Sequence, residues 1–266
     1  MTNADDAYVG AMTAAYDASA ASWFSGASVF YGQLAARVVD LLPDDVVGPV
    51  LDLCAGAGAA SAPLKARRWS VVGLDRSAAM LQVARVSRPP AVCADAFAMP
   101  FPPRTFGAVV VACGLNHATD PLAFLQEALR VTRRGGSVLA STFASGWSYD
   151  GKTAVDDALA GFGYRSPAWH EQLKHEVEPA TADRSALLAL GGLAGMVGSH
   201  VERLDVALDL SPQDIVSWRF GMASHAPFVA GLSVEEARLA VRAAVEAVSA
   251  RWEPMVVPLL VLRGLA

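Results

Sequence analysis

The chain has 266 residues, 53% of them apolar and 18% charged, and carries a formal net charge of -5. This excludes a disordered chain, which combines low hydrophobicity with high charge. The longest basic runs are the pairs Arg67-Arg68 and Arg133-Arg134, too short to neutralise a track of phosphates, so nucleic acid is not an expected partner.

In chain order, the N-terminal stretch MTNADDAYVG lacks the positive-then-apolar layout of a secretory leader. From Ser28 to Leu42, Phe30, Leu34, Val38, Leu41 and Leu42 recur at helical spacing, and Pro43-Asp44-Asp45 ends the run. The stretch VLDLCAGAGAASAPL, Val50 to Leu64, then passes from a strand-like apolar segment into small residues with Gly56 and Gly58. Four more apolar segments alternate with helical patterns: Ser70 to Asp75, Ala91 to Asp95, Phe106 to Gly114 and Gly136 to Phe143. That alternation predicts an α/β fold, a parallel sheet covered by helices. Asp120-Pro121 caps one helix, which Gly135-Gly136 is expected to close.

Beyond Phe143 the pattern changes. Ser145 to Ala180 is rich in aromatic residues, glycines and prolines and reads as an irregular or short-helical cap. A helix from Ala182 to Met196 precedes the alternating VERLDVALDL, Val201 to Leu210. Ser211-Pro212 opens one helix, and the capping box at Ser233 to Glu236 opens another that runs to about Trp252. The apolar MVVPLLVL, Met255 to Leu262, closes the sheet. The expected division is an N-terminal helical segment 1–46, a core 47–144, a cap insertion and helix 145–200, and the last two strands with inserted helices 201–266. A long uncharged window, Ser185 to Val201, is broken by glycines and His200, so no membrane span is expected. Cys54, Cys93 and Cys113 stand singly, which argues against a disulfide framework or a zinc site and for a cytoplasmic setting.

Three ligands compete for the glycine turn. A P-loop needs a lysine followed by serine or threonine at a fixed spacing, which is missing. A dinucleotide fingerprint counted from Gly56 finds Ser61 at its third small position, and Asp52 just before the turn would repel a pyrophosphate. S-adenosyl-L-methionine (SAM) carries an ammonium and a sulfonium and no phosphate, and suits these residues better. Asp75 ends the second strand, where a carboxylate accepts hydrogen bonds from ribose hydroxyls in SAM and NAD alike. Asp95 ends the third strand, in reach of an adenine amino group. Acids at three consecutive strand ends are more specific than any one of them.

The runs VLDLCAGAGA, VVGLDRSAAML, CADAFAMPF, FGAVVVACGLNHATDP and LRVTRRGGSVLAST resemble class I SAM-dependent methyltransferases, particularly the small-molecule branch that includes ubiquinone and menaquinone C-methyltransferases. The resemblance covers about Val47 to Phe143. It implies a Rossmann-like, mostly parallel seven-stranded sheet with the last strand antiparallel, helices on both faces and a helical cap, with two helices inserted between strands six and seven. It places Asp52, Ala55 and Gly56 at the methionine part of the cofactor, Asp75 and Arg76 at the ribose, Asp95 and Ala96 at the adenine, and Cys113 beside the sulfonium. Gly58 and Phe97 complete the expected cofactor set, with Tyr16 closing over the carboxylate. Cys54 stands where the family usually has its first glycine, which implies a slightly different turn and a retained site.

Methyl transfer is an in-line displacement, in which positioning supplies much of the acceleration and a base serves a hydroxyl acceptor. His117, after the fourth strand, is the leading candidate base, and it could equally flank the next helix. His225 in the cap is the second, although a surface-loop histidine fits it as well. His170 and His175 are five apart, about 140° around an α-helix, which does not suit a shared zinc. Trp23, Asn116, Trp147, Tyr149 and Trp218 are the expected acceptor-pocket residues, and ordinary cap packing is the competing account of each aromatic side chain. The expected protein is a monomeric or homodimeric SAM-dependent methyltransferase acting at O, N or C of a small, partly apolar metabolite, in secondary metabolism. The alternatives are a SAM-binding enzyme that cyclises or isomerises without transfer, and an NAD-dependent oxidoreductase.

Overall fold

A computed structural model describes residues 3–86 and 88–266. Seven strands form one sheet: β1 (Val50–Leu53), β2 (Val71–Asp75), β3 (Ala91–Cys93), β4 (Phe106–Val111), β5 (Thr132–Phe143), β6 (Val197–Leu208) and β7 (Met255–Leu265). Their order is β3-β2-β1-β4-β5-β7-β6. The first five run parallel, and β7 lies antiparallel between β5 and β6. β1 and β4 are buried along their whole length, as expected of unbroken apolar strands covered on both faces. β6, at the edge, alternates buried with exposed residues toward its C-terminal end.

Eleven helices surround the sheet among the described residues: α1 (Asn3–Ser22), α2 (Ser28–Val39), α3 (Ser61–Ala66), α4 (Ala78–Val83), α5 (Pro121–Val131), α6 (Asp150–Ala160), α7 (Ala168–Gln172), α8 (Arg184–Ala194), α9 (Pro212–Gly221), α10 (Ala226–Ala230) and α11 (Val234–Ser249). Their starts follow local chemistry. The Asp120 carboxylate accepts from the amide of Ala123 with Pro121 at the first turn of α5, and Ser211 and Ser233 make reciprocal capping boxes with Asp214 and Glu236.

Three expectations need correction. α5 ends at Val131, and β5 begins at Thr132, so Gly135-Gly136 belongs to the strand. Gly136 is there because a Cβ would strike the Gly107 carbonyl and the Thr132 side chain. Between β6 and β7 stand three helices rather than two, since Pro227 opens the short α10 after His225. β3 ends at Cys93, so Asp95, expected to end that strand, lies two residues beyond it. At the N-terminus α1 runs into a π-helical turn, Trp23–Ala27, that leads directly into α2.

This turn packs tightly on α9. A Cβ on Gly26 would collide with the Ser217 carbonyl, and one on Gly221 with the Ser22 carbonyl, so only glycine permits the approach. One apolar core joins cap residues such as Trp23, Phe30 and Trp218 to Val110, Leu139 and Leu259 of the sheet. A second, on the other face, packs α5 and α8 through Phe124, Leu125 and Leu187. Strand order reverses between β1 and β4, which places a crevice beyond their carboxyl ends, where open α/β sheets bind ligands.

Candidate active site

Two cavities meet above the carboxyl ends of the central strands. The first is a cleft over the glycine turn. Cys54, Ala55, Gly56, Asp75, Arg76, Asp95, Ala96, Phe97 and Cys113 line it, with Tyr16 as its roof. Trp23, expected in an acceptor pocket, also belongs to this cleft.

Backbone geometry fixes the floor. Cys54 and Cys113 adopt left-handed φ values of 60° and 56°, uncommon for residues with a Cβ. A Cβ on the neighbouring Gly114 would lie 2.8 Å from the Cys54 Cβ, so Cys54 occupies the space that a bare Gly114 leaves. The amide of Cys113 donates to the Ser141 hydroxyl at 2.9 Å, tying the end of β4 to β5.

The acids divide into two roles. Asp75 accepts from the amides of Gly56 and Ser77, each at 2.8 Å, and faces the cleft. Burial raises its pKa, and the backbone donors oppose that. Asp95 accepts from the amide of Phe97 at 2.9 Å and pairs with Arg76 at 2.6 Å. Asp52 does not line the cleft. It is 1% exposed beneath the turn and accepts from the Ser61 hydroxyl at 2.5 Å. Burial pushes its pKa up to about 7 against that hydrogen bond. Asp52 was expected at the ligand, but β1 points its side chain under α3. Gly58 is likewise outside the lining: its φ of +94° turns the chain into α3 beside Ser61.

Three of the turn's backbone donors are spent internally. The amide of Ala55 donates to the Leu74 carbonyl, that of Gly56 to Asp75, and that of Gly58 to the Ala55 carbonyl. A phosphate loop presents such amides to its anion. With Arg76 committed to Asp95, the cleft offers carboxylates and apolar walls. This donor set fits the hydroxyls, amino groups and sulfonium of SAM, and does not fit a pyrophosphate.

The second cavity, about 480 Å³, lies under the cap and is lined by Asn116, Trp147 and Trp218 among others. Tyr149 is not part of it: its hydroxyl donates to the Glu253 carbonyl at 3.0 Å and its ring packs by Gly151. Tyr16, Tyr31 and His117 line both cavities and form the wall between them. The Tyr16 hydroxyl and His117 Nε2 stand 3.4 Å apart, and burial lowers the His117 pKa to about 4, leaving a neutral imidazole. Among the described residues, His117 Nδ1 and Asn116 Oδ1 have no hydrogen-bond partner and are buried.

His225 is not a surface residue. At 1% exposure it lies behind the cavity wall, its ring stacked on Tyr164, Nδ1 2.9 Å from the Ser224 hydroxyl and Nε2 2.9 Å from Asp156. Arg219 also bonds Asp156, at 2.7 Å. Burial raises the Asp156 pKa, and His225 and Arg219 outweigh that to hold it at about 2. His170 lines the cavity and faces the Ser166 hydroxyl, whereas His175 pairs with Glu171, so the two rings have separate partners. The sequence reading also missed Tyr31, Lys152, Asp156 and Arg219. They come from three helices whose relative packing no local spacing encodes.

Comparison with known proteins agrees with this architecture. Residues 51–140 match a family model described as a methyltransferase domain. A demethylmenaquinone methyltransferase of Renibacterium salmoninarum is 39% identical over 97 residues, 36% of this chain and 41% of that protein. One from Paenarthrobacter aurescens is 37% identical over 109 residues, 40% of this chain and 43% of that protein. The chain thus matches less than half the length of these relatives. A solved Anabaena variabilis protein, assigned as a methyltransferase from an antibiotic biosynthesis pathway, covers 87% of the chain and 96% of its own at 16% identity and a TM-score of 0.60. A Haemonchus contortus phosphoethanolamine N-methyltransferase, solved with SAM, covers 86% of the chain and 52% of its own at 18% identity and a TM-score of 0.53. At such identities these two structures speak for the fold. Over residues 51–140, the chain is similar to the methyltransferase domain family.

Proposed function

We propose that the protein transfers a methyl group from SAM to oxygen, nitrogen or carbon of a small, partly apolar metabolite held in the second cavity. The observation that carries this reading is the pair of adjoining cavities: a cleft lined by Asp75 and Asp95 whose glycine turn commits the amides of Ala55, Gly56 and Gly58 to the protein itself, and an aromatic chamber sharing Tyr16, Tyr31 and His117 with it. The quinone-modifying relatives favour a hydroxylated planar ring as acceptor, and the aromatic chamber suits a product of secondary metabolism. A cytoplasmic site of action accords with such a metabolite.

SAM would supply an electrophilic methyl group. Asp75 would take the ribose hydroxyls, Asp95 and Phe97 the adenine, and the segment from Cys54 to Gly56 the methionine part. Tyr16, latched above, excludes water. The neutral imidazole of His117 holds a lone pair able to accept a proton from an acceptor hydroxyl, and Asn116 Oδ1 is free to orient that hydroxyl.

The test is calorimetric. S-adenosylhomocysteine should bind the native chain, and Asp75→Ala should weaken it roughly a hundredfold or more, because hydrogen bonds to a charged group are lost. Unchanged affinity would remove the cofactor assignment. With SAM and a naphthohydroquinone, product one methyl heavier supports transfer. Conversion without that gain favours cyclisation or isomerisation on a retained SAM site.

A further inference from the structure

The second cavity contains a cation with no ionic partner. Lys152, in the first turn of α6, lines it with Nζ 4.2 Å from the centre of the Trp147 ring. The other charges facing it are engaged. Asp156, one turn along α6, accepts from Arg219 and His225. Glu178 pairs with Lys174 at 2.6 Å. Asp183 caps α8 through the amides of Ser185 and Ala186. Among the described residues no carboxylate forms an ion pair with Lys152. The second buried cation at the wall, Arg219, keeps its Nε without a partner.

Leaving an ammonium partly buried without a counterion is costly. Burial, reinforced by Arg219 and Lys174 and offset in part by Asp156 and Glu178, lowers its pKa to about 7. The Trp147 face supplies some of the missing stabilisation, but a ring quadrupole is weaker than an anion. Around the cation are apolar aromatic surfaces: Trp147 stacked on Phe143, and Trp218 in the lining. Asn116 Oδ1, an unpartnered acceptor lining the same chamber, calls for a donor on the ligand.

We infer that Lys152 and Trp147 form a subsite for an anionic oxygen on a planar ring, so that the acceptor is an aromatic carboxylate or phenolate bearing a further hydroxyl toward Asn116 and His117. This rests on the second cavity being the acceptor pocket and specifies which molecules it admits. Lys152 acts in selection and orientation, while the proton-accepting role stays with His117.

Binding of ring probes near pH 7, followed by tryptophan fluorescence, tests it. 2-Naphthoate against 2-naphthamide probes the carboxylate, and 4-nitrophenolate against nitrobenzene probes the phenolate. At least one anion should bind roughly tenfold or more tightly than its neutral analogue, and which one identifies the source of the oxygen. Lys152→Met should abolish that preference, whereas Lys152→Arg should keep it. For naphthoate, affinity should fall as pH rises above about 7 in the native chain, up to about tenfold per unit, and stay level in Lys152→Arg. A lysine that merely supported the fold would give neither the arginine rescue nor the pH limb. Equal binding of anion and neutral analogue in both pairs, absence of anion binding, or a preference that survives Lys152→Met would overturn the inference. S-adenosylhomocysteine titrated in parallel reports on the cofactor separately: if it fails while the anion preference holds, methyl transfer falls and the anion subsite stands.

Discussion

Asp52 carries its charge against its surroundings. Its side chain is wholly buried, it accepts from the Ser61 hydroxyl, and its pKa is raised to about 7 from an ordinary 3.8. A carboxyl whose folded pKa lies above its unfolded one favours folding fully below about 3.8, and that contribution is lost as pH rises through about 7. Asp52→Asn keeps the shape and can still accept from Ser61, so it should stabilise the chain more at pH 8 than at pH 5. Thermal melts at both pH values check this, and an equal or smaller gain at pH 8 would contradict it. In sequence Asp52 looked like a ligand contact because it precedes the glycine turn. Strand alternation explains the outcome: Asp52 points off the sheet toward α3, while Cys54, two residues on, leaves the strand in a left-handed conformation and reaches the cleft instead. Asp75 and Asp95 were legible because Asp75 ends β2 and Asp95 stands just past β3, where backbone amides of the following turn grip the carboxylate and turn it outward.

Among elements, α1 has the clearest mechanical role. Asp17 accepts from the Ser77 hydroxyl at 2.5 Å and from the amide of Ala79 at 3.2 Å, at the start of α4. The bonds fasten the helix that carries Tyr16 across the cleft beside Asp75. Asp17→Ala should leave the fold intact and release S-adenosylhomocysteine about tenfold faster, since charge-assisted hydrogen bonds hold the closed arrangement. Stopped-flow dissociation measures this, and an unaltered rate would show the latch to be idle. The strands and the helix caps were readable because each rests on a local rule, a buried apolar run or an acid before proline. The chamber under the cap was not, because Lys152, His170 and Arg219 sit on α6, α7 and α9 and face one space only after those helices pack. The π-helical turns at Trp23–Ala27 and Leu173–Val177 also escaped, since one extra residue per turn leaves no mark in an α-helical periodicity.

At the scale of the molecule, the four segments into which the sequence divides share one core. Trp218 stacks on Phe30 with ring centres 3.8 Å apart, and the same cluster continues into β4, β5 and β7. Trp218→Ala should therefore cost about 3–5 kcal/mol and lower Tm by roughly 2–4 °C for each of them. Far-ultraviolet and near-ultraviolet circular dichroism should report the same midpoint, because cap and sheet unfold together; separate midpoints would divide the core. The wall of Tyr16, Tyr31 and His117 has a thermodynamic corollary. It is built of side chains, so an occupant on either side selects among the same few rotamers. Whichever molecule arrives first bears the entropy of ordering them, and the second finds them set. By reciprocity, each then changes the other's dissociation constant by one common factor.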